Sequence, residues 1–179
     1  MLILALAIAL AGLLGCESEE SVQDRAIREA NAKVMAVGKK LDPLYQTYLT
    51  GTRDQAEMSL KQMLSHVEGS DEPPKVQAHD LWLTYSRLYV LEKRGGNEAL
   101  AQAYLLKARY WLLRKAELGG ADAEKAATEV FGWFTPDKCT EIVDHWDKSR
   151  TQGKGPNYAR SVVPEESSGQ TRSPPPVSQ

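Results

Sequence analysis

The stretch VQAHDLWLTYSRLYVLEKRGGNEALAQAYLLKARYWLLRKAEL, residues 76–118, decides the fold. Its first half carries Leu81, Trp82, Leu83, Tyr85, Leu88, Tyr89, Val90 and Leu91, an apolar set that covers more than one side of a helix over residues 76–93. Arg94-Gly95-Gly96-Asn97 turns the chain, with Asn97 placed to cap the next helix. Residues 98–118 are apolar nearly all round between Ala99 and Leu113, the pattern of a helix buried at a domain's centre. Gly119-Gly120 ends it, because glycine takes the left-handed conformation that closes helices. Two helices with a tight turn between them make a hairpin that needs neighbours on both sides.

Those neighbours are also helical. Upstream, Ser21 with Asp24 reads as a capping box, and Val22, Ala26, Ala30, Val34, Val37 and Leu41 recur at intervals of three and four. That helix is expected to stop at Asp42-Pro43, with another turn or two through Tyr45 and Leu49. Thr52 with Gln55 makes a second capping box, behind which Ala56, Leu60, Met63, Leu64 and Val67 line one face, and residues 69–74 read as a loop. Downstream, residues 122–133 form a helix, and Thr135-Pro136 opens a last one carrying Ile142, Val143 and Trp146. No stretch alternates with a period of two, so no strand is predicted. The expected fold is all-α: antiparallel helical hairpins stacked as a short repeat array, with an irregular bundle as the alternative.

The ends have a different composition. Residues 2–14 are an uncharged apolar run of about thirteen, short of the ~20 needed to span a bilayer. The run closes on Leu13-Leu14-Gly15-Cys16, which resembles the lipobox of bacterial lipoproteins. The resemblance implies a signal peptide over residues 1–15, removal of that peptide, and acyl chains, palmitate among them, on Cys16. Several chains hold a protein to a membrane durably where one does so marginally. No Lys or Arg precedes Arg25, so either the start lies upstream or the terminal amine supplies the positive charge. Residues 17–20 form an acidic spacer. Glu17 stands where an Asp favours inner-membrane retention in lipoproteins, which tips the expectation towards an outer-membrane, periplasm-facing location. Residues 151–179, rich in Pro, Ser and Gly, are expected to be disordered, leaving residues 21–150 as the helical domain.

Composition narrows the function. The 22 basic and 24 acidic residues leave a net charge of −2, which offers no electrostatic basis for nucleic-acid binding. With Cys16 acylated, Cys139 is the only remaining thiol, so the core must hold by packing alone. Near the start of the last helix, Cys139 is either a thiol activated by the helix end, a link between chains, or a small buried apolar residue.

Ala108, Trp111, Arg114, Ala116, Glu117, Gly119, Ala121 and Ala123 fall at spacings similar to the Sel-one-like repeat. Tyr85-Ser86-Arg87-Leu88-Tyr89 stands where that repeat has Leu-Gly-x-x-Tyr, with Ser86 in place of the glycine, and Ala127, Thr128 and Phe131 stand in a following repeat. The related tetratricopeptide pattern matches at Ala101, Leu105 and Ala108 only with a lengthened turn. The resemblance implies a protein-interaction module in which the first helix of each pair faces a partner. On it, Asp80 and Arg87 would point into a shallow groove; a solvated helix face is the other reading of the same two residues.

Chemistry-bearing motifs are sparse. No paired-histidine metal helix, nucleophile elbow, phosphate loop or paired-cysteine motif is present, so no catalytic residue, metal or cofactor is expected. Glu141 and His145 stand one turn apart, short of a full ligand set. Lys107, Arg109, Arg114 and Lys115 form a basic cluster, read either as edge charges or as contacts to anionic polymers or headgroups. The expectation is a lipid-anchored, non-catalytic adaptor with an envelope protein as partner and no small-molecule substrate. A cell-wall enzyme or accessory subunit using Glu141, Asp144 and Asp147, or a structural tether using the tail, are the alternatives.

Overall fold

The computed structural model describes residues 22–152, and among them the chain is all-helical, with no strand. The helices are α1 Val22–Thr50, α2 Arg53–Glu68, α3 Pro74–Arg94, α4 Glu98–Leu118, α5 Ala123–Trp133 and α6 Pro136–Thr151. Short turns fold α1 on α2 and α3 on α4 as hairpins, and α2 stacks on α3. The chain then doubles back, so that α5 lies on α4 and α6 on α3. The apolar run, Cys16, the acidic spacer, Ser21 and the tail from residue 153 lie outside the described residues.

The caps read at Thr52 and Thr135 are formed, and Asp122, read only as the start of a helix, makes another. Thr52 and Gln55 exchange both arms of a capping box, Asp122 accepts from the Lys125 N–H, and Thr135 accepts from the Lys138 N–H with Pro136 at the first helical position. Asn97 is different: its side chain makes no capping bond. Gly96 at φ +77° carries the turn instead.

Two expectations are corrected. Helix α1 does not stop at Pro43 but runs to Thr50. Buried Val34, Val37, Leu41 and Tyr45 continue one stripe through the proline, while Pro43 and Lys39 face solvent. The bond that proline removes is therefore on the wet side, where water can take the Lys39 carbonyl.

The second correction concerns the centre of the domain. Helix α4, apolar nearly all round, buries only Ala101, Leu105 and Ala108, one narrow stripe. Its Leu106 and Tyr110 are 59% and 54% exposed. The buried helix is α3, which hides thirteen of its 21 residues. Small Ala101 and Ala108 let α4 close tightly on α3, while α2 and α6 cover the other sides of α3. The core is continuous through Leu60, Val67, Leu81, Leu88, Leu105, Phe134, Cys139 and Val143. The Arg109 Nε and Nη2 donate to the Phe134 carbonyl, at 3.2 and 3.1 Å, and pin the α5–α6 turn to α4.

Candidate functional site: a polar seam between three helices

Hydrophobic packing would place apolar residues wherever α3 meets α1 and α6, yet a seam of charged and phenolic groups runs there. Tyr45 and Tyr48, three apart on α1, share one face. Arg87 enters from α3 and Asp147 from α6. The Arg87 Nε donates to Asp147 Oδ1 at 3.0 Å, and its second nitrogen donates to the Tyr45 hydroxyl at 2.8 Å. The Tyr45 hydroxyl in turn donates to Asp147 Oδ1 in a short hydrogen bond, and Tyr48 donates to Asp147 Oδ2 at 2.6 Å. The guanidinium also lies 4.5 Å from the Tyr45 ring centroid. One carboxylate thus takes three hydrogen bonds from two helices.

Burial opposes the Arg87 charge, but Asp147 and the two phenols outweigh it and hold its pKa above the ordinary value. Burial first, then the Asp147 charge and its hydrogen bonds, raise both tyrosines well above the usual phenol range, with Arg87 working the other way. One turn beyond Asp147, Arg150 pairs with Asp42 at 2.5 Å and covers the Tyr45 ring at 4.4 Å. Helix α6 is therefore tied to α1 by side chains at two levels.

Asp80 lies two turns before Arg87 on the same stripe of α3. Only 6% of it is exposed, and its carboxyl makes no hydrogen bond or ion pair among the described residues. Burial, and secondarily the Glu72 charge, push it up to about 7 against the pull of Arg87, Arg150 and Lys115. Glu72, half taken up by the Ser70 hydroxyl at 3.1 Å, is raised by burial too. Neither Asp80 nor Arg87 is on a solvated helix face. Arg87 is locked inward, and Asp80 is the group with unused bonding capacity.

At the other end of the seam, Asp147 forms part of a cleft of about 310 Å³. Tyr48, Leu49, Val90 and Leu91 give it apolar walls, and Arg94 and Asp144, paired at 2.7 Å, stand on its rim. Behind it the buried Glu92 takes Arg53 at 3.0 Å on Oε2, while Oε1 has no partner among the described residues.

The remaining sequence candidates disperse. Glu141 binds Lys138 at the surface, away from the cleft that Asp144 and Asp147 share, and those two acids are taken up by Arg94 and Arg87. Among the described residues no group of three or more His, Cys, Asp or Glu side chains is arranged to hold a metal. Cys139 is fully buried; burial pushes its thiol up to about 11, overriding the helix end. The basic cluster splits: Lys107 covers Tyr85, Arg109 caps Phe134, Arg114 pairs with Glu117 and Lys115 turns inward to His79.

Sequence reasoning named Arg87 and Asp80 but missed Tyr45, Tyr48 and Arg150. The signal was available as two spacings of three, Tyr45/Tyr48 and Asp147/Arg150. It was hidden at α1 by the assumption that the helix ended at Pro43. No family model, curated protein or solved structure matches the chain. Among the described residues, no helix is long and apolar enough to cross a membrane.

Proposed function

We propose that this chain is a bacterial lipoprotein, held to an envelope membrane through acylated Cys16, whose helical domain is a non-catalytic adaptor. Its site is the cleft between α1, α2, α3 and α6, which takes a segment of an envelope protein partner. The observation that supports this reading is the cleft's construction: an open apolar trough whose rim charges are already neutralised in pairs. Such a surface offers shape and apolar contact to a polypeptide. Arg87 serves as a positioning residue, fixing Asp147 in the cleft wall, and Asp80 supplies an acceptor further along the same seam. The Sel-one-like spacing favours the same use of the fold, with the outer membrane as the favoured location.

Affinity capture from crosslinked envelopes tests it with the full chain. A partner recovered by the unaltered chain, kept by Leu106→Glu on α4 and lost by Leu49→Glu in the cleft supports the adaptor. Equal capture by all three chains contradicts it. For the anchor, Cys16→Ser is expected to leave the membrane fraction or stay unprocessed; a processed, membrane-retained Cys16→Ser chain contradicts lipidation.

A further inference from the structure

Helix α4 turns an apolar face away from the rest of the domain. Its buried stripe, Ala101, Leu105 and Ala108, packs on α3. The opposite side carries Ala99, Ala103, Leu106, Tyr110 and Leu113, at spacings of four and three that place them on one line. Leu113 is half-buried, while Leu106 and Tyr110 are more than half exposed, as is Phe131 of α5. Arg109 joins Phe131 to this line. Its guanidinium lies 5.6 Å from the Phe131 ring centroid, and it stands three residues after Leu106 and four before Leu113. A single exposed leucine needs no explanation, but three large apolar side chains on one surface mark a contact site.

The charges beside that line are of one sign. From Ala99 to Ala116 the helix carries Lys107, Arg109, Arg114 and Lys115 and no acid. Lys107 and Arg114, seven apart and both exposed, border one edge of the apolar line, and Arg109 borders the other. Arg114 shares Glu117 one turn on, whereas Lys107 lies over the Tyr85 ring at 5.1 Å. These edges disfavour a second copy of the chain as the cover. Antiparallel pairing of two α4 helices sets like edges together, Lys107 beside Lys107, and parallel pairing sets the Lys107 edge against the Arg109 edge. Cations meet cations in both. An anionic surface meets them with the opposite sign.

Helix α1 begins six residues after Cys16, so an acyl anchor there leaves the domain a tether of at most ~20 Å. We propose that the outer face of α4, with Phe131, lies on the anionic headgroup layer of the membrane that holds the chain. Leu106 and Phe131 enter the boundary between headgroups and acyl chains, and Tyr110 keeps its hydroxyl on the wet side. The long stems of Lys107 and Arg114 carry their charges up to the lipid phosphates. The proposal rests on the lipid-anchor reading but not on the cleft, whose walls include no residue of α4.

The test places the full chain on phosphatidylcholine vesicles with and without phosphatidylglycerol, carrying a nitroxide on Leu106→Cys or, for comparison, on Met35→Cys of α1. Both positions are exposed, so folding tolerates the change, and the buried Cys139 does not compete for the label. Accessibility to oxygen against a water-soluble nickel chelate reads where each label sits. With phosphatidylglycerol present, the label at position 106 is expected to leave water for the acyl boundary while the label at position 35 stays aqueous. Lys107→Glu with Arg114→Glu is expected to return position 106 to water on a chain that remains vesicle-bound. A bound chain whose position 106 is as aqueous as position 35 overturns the proposal and leaves the anchor standing. Dipolar coupling between labels at position 106 overturns it in favour of a second copy. Burial that ignores both phosphatidylglycerol and the charge reversals overturns the assignment to anionic headgroups. A full chain that no vesicle retains removes the anchor and this surface together.

Discussion

Removing the Arg87 guanidinium leaves the Asp147 carboxylate held by two phenols but with its principal countercharge gone. Breaking one side of a buried pair costs about 3–5 kcal/mol, far more than the net worth of the pair itself. Arg87→Met is therefore expected to lose roughly that stability in urea titration, and Arg87→Met with Asp147→Leu to recover much of it. Equal losses in the single and double variants would mean that the seam acts by packing alone. The two buried groups beside it have opposite pH signatures. Asp80 is raised from its ordinary carboxylate value to about 7 on folding, so the folded chain holds this proton more tightly, and stability falls as pH rises from about 4 to 7. His79 is lowered to about 4, so the unfolded chain holds that proton more tightly, and stability rises with pH from about 4 to 6.5. The two slopes oppose each other in the shared window. Asp80→Asn is expected to leave a rising profile and His79→Gln a falling one, read from thermal midpoints across that range. Unchanged profiles in both would contradict the burial of the two groups.

At the scale of elements, the α3–α4 turn depends on a close approach. The Arg53 guanidinium lies directly against Gly95, where a Cβ would collide with it, and from there reaches the buried Glu92. Gly95→Ala is expected to push Arg53 aside and leave both Glu92 oxygens without a protein partner. The loss should be about 1–3 kcal/mol, well above the change for an ordinary exposed position. A Gly95→Ala chain as stable as the unaltered one would show that Arg53 contributes nothing to Glu92. The legibility of these elements comes from their physics. Caps at Thr52 and Thr135 are local exchanges between a side chain and a nearby N–H, so sequence alone located them. Pro43 misled because its cost depends on which way the lost bond faces, and that is set by the distant contacts of Tyr45 and Leu41. Helix α4 misled because apolar residues on every side carry no phase. Only the neighbours determine that Leu105 is buried while Leu106 is exposed.

For the whole molecule, the doubling back of α5 and α6 creates the seam, since it brings Asp147 and Arg150 across to α1. The spacing of Asp147 and Arg150 marks one face of α6, but nothing local in residues 136–151 tells which helix that face meets, which is why the positions were legible and their pairing was not. The adaptor reading places binding in residues 22–152. A chain ending at Gln152 is therefore expected to retain the partner captured by the full chain, and loss of capture would shift the role to the tail. The most direct measurement puts a photo-crosslinking residue in place of exposed, cleft-rim Arg94 in living cells, with the same residue at Lys125 on α5 as the comparison. A discrete protein adduct from position 94, absent at 125 and abolished by adding Leu49→Glu, is the expected result. No adduct at 94, or one shared by both positions and indifferent to Leu49→Glu, would contradict the cleft as a docking site.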